Sequence, residues 1–182
     1  MNAPSWGANV YAMASHSPSR TRTLILMRHG KSAYPEGVAD HERPLAPRGR
    51  TQAGLAGEWL RSTQPPIDAV LCSTSRRTRQ TLEATRVGAP TRFSEELYGA
   101  YPSEVLMEIA RIEPSVRTLL VVGHAPGMPS TALDLAGNPD TGDANRMREK
   151  FPTSALAILT VPCEWDELTS SAASLATFHV PR

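Results

Sequence analysis

Thr23-Leu24-Ile25-Leu26-Met27-Arg28-His29-Gly30 is the stretch that sets the fold. A continuous apolar run of this kind predicts a strand buried on both faces, as inside a parallel sheet covered by helices above and below. The run passes without a spacer into a basic pair and a glycine, so a charged segment begins where the strand ends. Outward from it the same alternation repeats. Residues 47–62 carry Ala53, Ala56, Trp59 and Leu60 at helical spacing, with Pro47 suited to the first turn. Ala69-Val70-Leu71-Cys72 reads as a second buried strand, followed by a helix over 75–87 with Thr78, Leu82 and Thr85 or Val87 inward. Thr91-Arg92-Phe93 is a short strand, and 103–112 a helix opened by Pro102 and Ser103. Thr118-Leu119-Leu120-Val121-Val122 is a third strong strand, and 128–136 a helix ended by Gly137-Asn138-Pro139. Residues 139–150 are polar and read as a surface loop, with 155–161 and 175–180 as the last two strands. Strands alternating with helices predict an α/β fold, a three-layer α/β/α sandwich on a mostly parallel sheet.

The 182 residues suit one compact domain, expected over 23–182. Residues 1–22 are rich in Ser, Pro, Ala and Gly without periodicity and read as a flexible leader. Met13 offers an alternative start there, and Trp6 and Tyr11 leave a small docking role open. Lys+Arg 19 against Asp+Glu 18 gives a net charge of +1, which argues against a protein built to coat nucleic acid or an anionic membrane. Of those cations 17 are Arg and two, Lys31 and Lys150, are Lys, either from genome composition or because some hold oxyanions in a fork that Lys cannot reproduce. Cys72 and Cys163 are far apart and form no CxxC or Cys/His cluster, which argues against a disulfide framework or structural zinc. No apolar run approaches the ~20 residues of a membrane span, and no basic segment precedes an apolar core at the amino terminus. The expectation is a soluble, cytoplasmic protein without nucleic-acid or membrane partners.

Open α/β sheets place their sites at the carboxyl ends of strands. Three segments at such ends suit an anion: Arg28-His29-Gly30, Ser73-Thr74-Ser75-Arg76-Arg77 and Gly123-His124-Ala125-Pro126-Gly127. The last two open helices, whose first N–H groups and positive dipole favour a phosphate-like dianion. A neutral histidine nitrogen is nucleophilic near pH 7, and Arg supplies paired donors around a transferring phosphoryl group. Bland readings stand beside these. Arg76 and Arg79 read as solvated charges, and Arg43 and Asp40 divide between phosphate contact and loop salt bridge. His16, His41 and His179 default to surface or packing roles. Thr153-Ser154 lacks a Gly-x-Ser-x-Gly elbow and is better read as support near the pocket.

Leu26-Met27-Arg28-His29-Gly30, the run Ser73-Thr74-Ser75-Arg76-Arg77-Thr78-Arg79-Gln80-Thr81, and Gly123-His124 occur in this order. Together they resemble the RHG signature, the S-P-x-x-R-A-x-Q-T segment and the second catalytic histidine of the histidine phosphatase superfamily. Asp40-His41-Glu42-Arg43-Pro44-Leu45 with Gly49 is similar to the D-x-x-R-P-L-x-x-x-G segment of the SixA-type phosphohistidine phosphatases. The resemblance covers 23 to about 180 and implies a phosphoglycerate mutase-like fold. It implies His29 as the phosphorylated nucleophile, with Arg28, Arg77 and His124 around the phosphoryl group. Arg77 is chosen over Arg76 and Arg79 because it lies four residues after Ser73 and four before Thr81. Arg43 is expected as an extra phosphate contact, and Gly30 as a tight turn approaching the ligand. The chain departs from the pattern at Thr74, where Pro is usual, at Thr78, where Ala is usual, and at Ala125, where many members have Asn.

A phosphate ester benefits from a carboxylic acid beside its leaving oxygen. Glu95 and Glu96 are the candidates, since mutase-like relatives carry their acid in a comparable segment, and the choice between them stays open. A phosphohistidine leaves as imidazole, reference pKa about 6.5, and asks for less. The short stretch between the Arg77 helix and the Gly123 strand has no room for the lid helices with which relatives grip small metabolites. The expectation is a metal-independent, cofactor-free phosphatase, SixA-like, acting on a phosphohistidine protein. A small-ester phosphatase and a non-catalytic phosphate-sensing or phosphoprotein-binding domain are the alternatives.

Overall fold

The computed structural model describes residues 21–182. The expected leader, with Trp6, Tyr11, Met13 and His16, therefore lies outside the described residues apart from Thr21 and Arg22. Six strands form one sheet: β1 (Arg22–Arg28), β2 (Ala69–Ser73), β3 (Thr91–Ser94), β4 (Thr118–Gly123), β5 (Leu156–Val161) and β6 (Ser174–His179). Their order across the sheet is β3-β2-β4-β1-β5-β6. The pairings β3·β2, β2·β4 and β4·β1 are parallel, and β5 alone runs against the others. Between the strands lie α1 (Pro47–Thr63), α2 (Arg76–Thr85), α3 (Pro102–Ile109), α4 (Gly127–Leu135) and α5 (Gly142–Glu149). The α/β/α sandwich expected from the strand and helix patterns is thus the fold observed.

The apolar run of β1 explains the layering. Side chains alternate across a strand, so Leu24 and Leu26 join the cluster beneath α3 and α4, while Ile25 and Met27 join the one beneath α1 and α2. Leu24, Ile25, Leu26 and Met27 are all fully buried, and each such side chain contributes about 1.5–3 kcal/mol relative to exposure. Trp59 lies at the edge of its cluster, stacked on His179 at 4.1 Å between ring centres, which gives His179 its packing role.

Residues 139–150 depart from expectation, since most of them form α5. Thr141 caps that helix by accepting from the Ala144 N–H, and Asp143 reaches across to accept from the Phe178 N–H. Ala144 and Met147 are its only buried residues, so one short apolar stripe carries the helix and too little periodicity shows in the sequence. Two helices stop earlier than their patterns suggest. α2 ends where Arg86 turns into the left-handed region at φ 56°, leaving Val87 outside it, and α3 ends at Ile109.

β2, β4 and β1 are neighbours, so their carboxyl ends bring Ser73, Gly123 and Arg28 side by side. The loop after β1 is held against α1 by close backbone contact. A Cβ on Gly30 would lie 2.8 Å from the Gly49 carbonyl oxygen, and one on Gly49 would lie 2.2 Å from that of Lys31. Gly30 thus serves this contact between backbones. Among the described residues no helix is long and apolar enough to cross a membrane.

Candidate active site

His29 and His124 face each other with ring centres 5.1 Å apart, both largely buried. His29 Nδ1 lies 2.7 Å from the Gly30 carbonyl oxygen. A carbonyl only accepts, so Nδ1 carries the proton and Nε2 presents its lone pair. Burial is the main cause that pushes the His29 ring down to about 4; the Gly30 hydrogen bond opposes it, and the charges of Arg77, Arg28 and Arg43 add to it. The ring is therefore neutral and nucleophilic at pH 7.

His124 is fixed in the same way. Arg77 Nη2 donates to His124 Nδ1 at 3.4 Å, and since guanidinium has no acceptor, the ring proton sits on Nε2 and is donated to Ser73 Oγ at 2.9 Å. Burial first, then His29 and Arg77, lower this ring to about 3. The serine that begins the β2–α2 segment thus sets the tautomer of a histidine on another strand.

Arg77, from the first turn of α2, is buried and held by Asp40 as well as by His124. It donates from Nη1 to the Asp40 backbone carbonyl at 2.6 Å and from Nη2 to Asp40 Oδ2 at 3.0 Å. That leaves its Nε–H and one Nη1–H for an anion. Asp40, on a 3-10 turn over Asp40–Glu42, also accepts from Tyr98 OH at 2.5 Å and from Arg43 at 2.7 Å. The Tyr98 hydrogen bond is the largest cause holding its carboxyl down at about 2; Arg43 and Arg77 reinforce it against the cost of burial. Asp40 is accordingly a fixed carboxylate and not a proton donor near neutral pH.

Arg28 is half-buried and donates to the Phe151 carbonyl at 2.7 Å. Behind it the Ser154 N–H lies 3.1 Å from the Arg28 and His29 carbonyls, so of the Thr153-Ser154 pair it is Ser154 that supports the turn, through its backbone. Arg43 spends its donors inside its own loop, on Ala33 O, Ser32 Oγ and Asp40, and stacks 3.3 Å over the Tyr34 ring. Its charge nonetheless reaches His29. Glu95 and Glu96 are exposed, and among the described residues neither bonds to His29, His124 or Arg77. Glu96 accepts instead from Ser94 at 2.8 Å.

Four participants carried no signal strong enough to single them out. Tyr98 lies edge-on to His124 with centres 5.3 Å apart and touches Asp40. His41 packs against Tyr98 and bonds Thr74 Oγ1 at 3.1 Å, the hydroxyl present where Pro is usual. Thr81 accepts from the Gly30 N–H and donates to the Arg77 carbonyl, tying the two loops. Ser73 fixes His124. The one usable cue was position, since Ser73 and Thr81 bracket Arg77. Among the described residues no group of three or more His, Cys, Asp or Glu is placed to hold a metal ion.

The histidine phosphatase superfamily (branch 1) model matches residues 24–100. A solved structure assigned as the phosphohistidine phosphatase SixA of Nakamurella multipartita is 40% identical, with TM-score 0.82 over 88% of this chain and 96% of that one. The chain belongs to the histidine phosphatase superfamily. An uncharacterized protein of Mycobacterium tuberculosis is 54% identical over 158 residues, 86% of this chain and all of its own. The phosphohistidine phosphatase SixA of Escherichia coli is 28% identical over 152 residues, 76% of this chain and 84% of its own. Superfamily membership thus joins the strand-end histidines and arginines to a phosphatase fold.

Proposed function

We propose that the protein hydrolyses phosphohistidine on a protein substrate through a phosphorylated His29. The observation that carries this reading is the acid–base character of the pocket: a neutral His29 with its Nε2 lone pair available, cations around it, and one nearby carboxylate, Asp40, locked in its charged form. In the first step His29 Nε2 attacks phosphorus, a P–N bond forms, and the substrate's P–N bond breaks with its electron pair staying on the departing nitrogen. A phosphoimidazole protonated on its other ring nitrogen leaves as neutral imidazole and takes no proton from the protein. Arg28, Arg77 and the first N–H groups of α2 bear the phosphoryl charge. In the second step water attacks phosphorus, the P–Nε2 bond breaks, its electrons return to Nε2, and inorganic phosphate carries off the water's protons.

An alkoxide leaves far less readily than imidazole and calls for a positioned acid. Glu95 and Glu96 are exposed, and Glu96 accepts from Ser94, so neither gives an ester substrate much support. A substrate panel tests the reading: phosphohistidine peptides and simple phosphate esters, each with the wild type and His29→Ala. The expected result is turnover of phosphohistidine well above any ester, and loss of at least ~1,000-fold in His29→Ala. Equal or better ester turnover would contradict it.

A further inference from the structure

Beside the phosphoryl pocket a groove of about 560 Å³ runs between α4 and the segment joining α5 to β5. Arg28 and Ala125, the residues next to His29 and His124 in sequence, line it, so the groove lies beside the two histidines. Leu133 lines its α4 side. Its outer rim carries Arg148 and Lys150, with Glu149 as the one acidic residue lining it. Three cations against one anion give this groove a positive balance that the whole chain, at +1, does not have. Arg148 is held in place, donating to Asn145 Oδ1 at 2.6 Å and to the Pro139 carbonyl at 2.9 Å. Ala125 adds width, because its methyl group stands where many members have an amide.

We propose that this groove seats an acidic polypeptide segment flanking the phosphohistidine of the substrate, with Arg148 and Lys150 reading its charge. The inference rests on the phosphohistidine reading. An open groove with an apolar wall and a cationic rim fits an extended chain, whose apolar side chains meet Leu133 while its carboxylates meet the rim. Between α2 and β4 the chain places only β3 and α3, and neither contributes a residue to the lining of this groove.

The test uses two phosphohistidine peptides of equal length, one flanked by Asp and Glu and one by Lys and Arg, with phosphoimidazole as the small donor. Each is assayed with the wild type, with Lys150→Glu and with the Arg148→Glu/Lys150→Glu pair. Lys150→Glu removes no side-chain hydrogen bond, so it guards against a folding defect in the pair. The expected result is a wild-type preference for the acidic peptide that weakens with salt. Its KM should rise roughly tenfold in the double variant and less in Lys150→Glu. Phosphoimidazole turnover should stay within about twofold. Turnover of both peptides without charge preference, or an acidic-peptide KM unmoved by the double variant, would overturn the groove assignment alone. An equal loss on phosphoimidazole would overturn it too. No turnover of any phosphohistidine donor by the wild type would overturn the phosphohistidine reading, and this inference with it.

Discussion

His29 and His124 owe their tautomers to different partners, a backbone carbonyl for one and a serine–arginine pair for the other. Both rings are held well below the ordinary histidine value, and two consequences follow at this scale. In activity, the acid limb of kcat/KM with a substrate that does not itself titrate should fall with an apparent pKa near 4; a limb near 6.5 would show His29 to be unshifted. In stability, each folded value lies below the unfolded one, so below pH 6.5 the unfolded chain binds more protons and folding weakens as pH falls. The window runs from about 6.5 down to about 4 for His29 and about 3 for His124, at up to about 1.4 kcal/mol per pH unit for each ring. Urea unfolding at pH 7 and pH 5 checks this, and His124→Gln should show the smaller loss between the two. Tyr98→Phe makes a third expectation, because removing the hydroxyl that favours the charged form should raise the Asp40 pKa from about 2. Carboxyl chemical shifts across an acid titration measure it, and no movement would show that the arginines suffice.

Elements differ in how openly the sequence states them. β1 and β4 are continuous apolar runs and were legible at once, because a strand buried on both faces needs no periodicity to be recognised. α5 was not: with Ala144 and Met147 as its buried residues, it rests on the Thr141 cap and the Asp143 contact to β6, which sequence spacing does not display. α1 hides a different fact. Gly57 sits within that helix, where propensity alone says that Ala would stabilise by about 1 kcal/mol. A Cβ there would lie 2.0 Å from the Thr85 carbonyl oxygen of α2, so the backbones must separate. Gly57→Ala should therefore lower the melting temperature, with a cost of about 1–3 kcal/mol. A rise would show that the α1–α2 contact is looser than described.

Across the whole molecule, three adjacent strands end on one edge of the sheet and deliver Arg28, His29, Ser73, Arg77 and His124 to a single pocket. That convergence was readable, since strand ends and helix starts fix where polar residues gather. The web within the pocket was not. Asp40 read as a loop residue of uncertain use, yet it binds Arg77, Arg43 and Tyr98 from three separate segments. Glu95 and Glu96 read as candidate acids or as solvated loop carboxylates, and both are exposed, since which side of a loop a carboxylate takes depends on its tertiary neighbours. The near-neutral total of +1 hides an arginine-rich edge for the same reason. All of this bears on one claim, that His29 takes up the phosphoryl group. Rapid-quench labelling with a radiolabelled phosphohistidine peptide tests it most directly. An acid-labile, base-stable label mapped to His29, forming and decaying fast enough to account for turnover and absent in His29→Ala, is the expected result. Turnover with no such label, or a label on another residue, would contradict it.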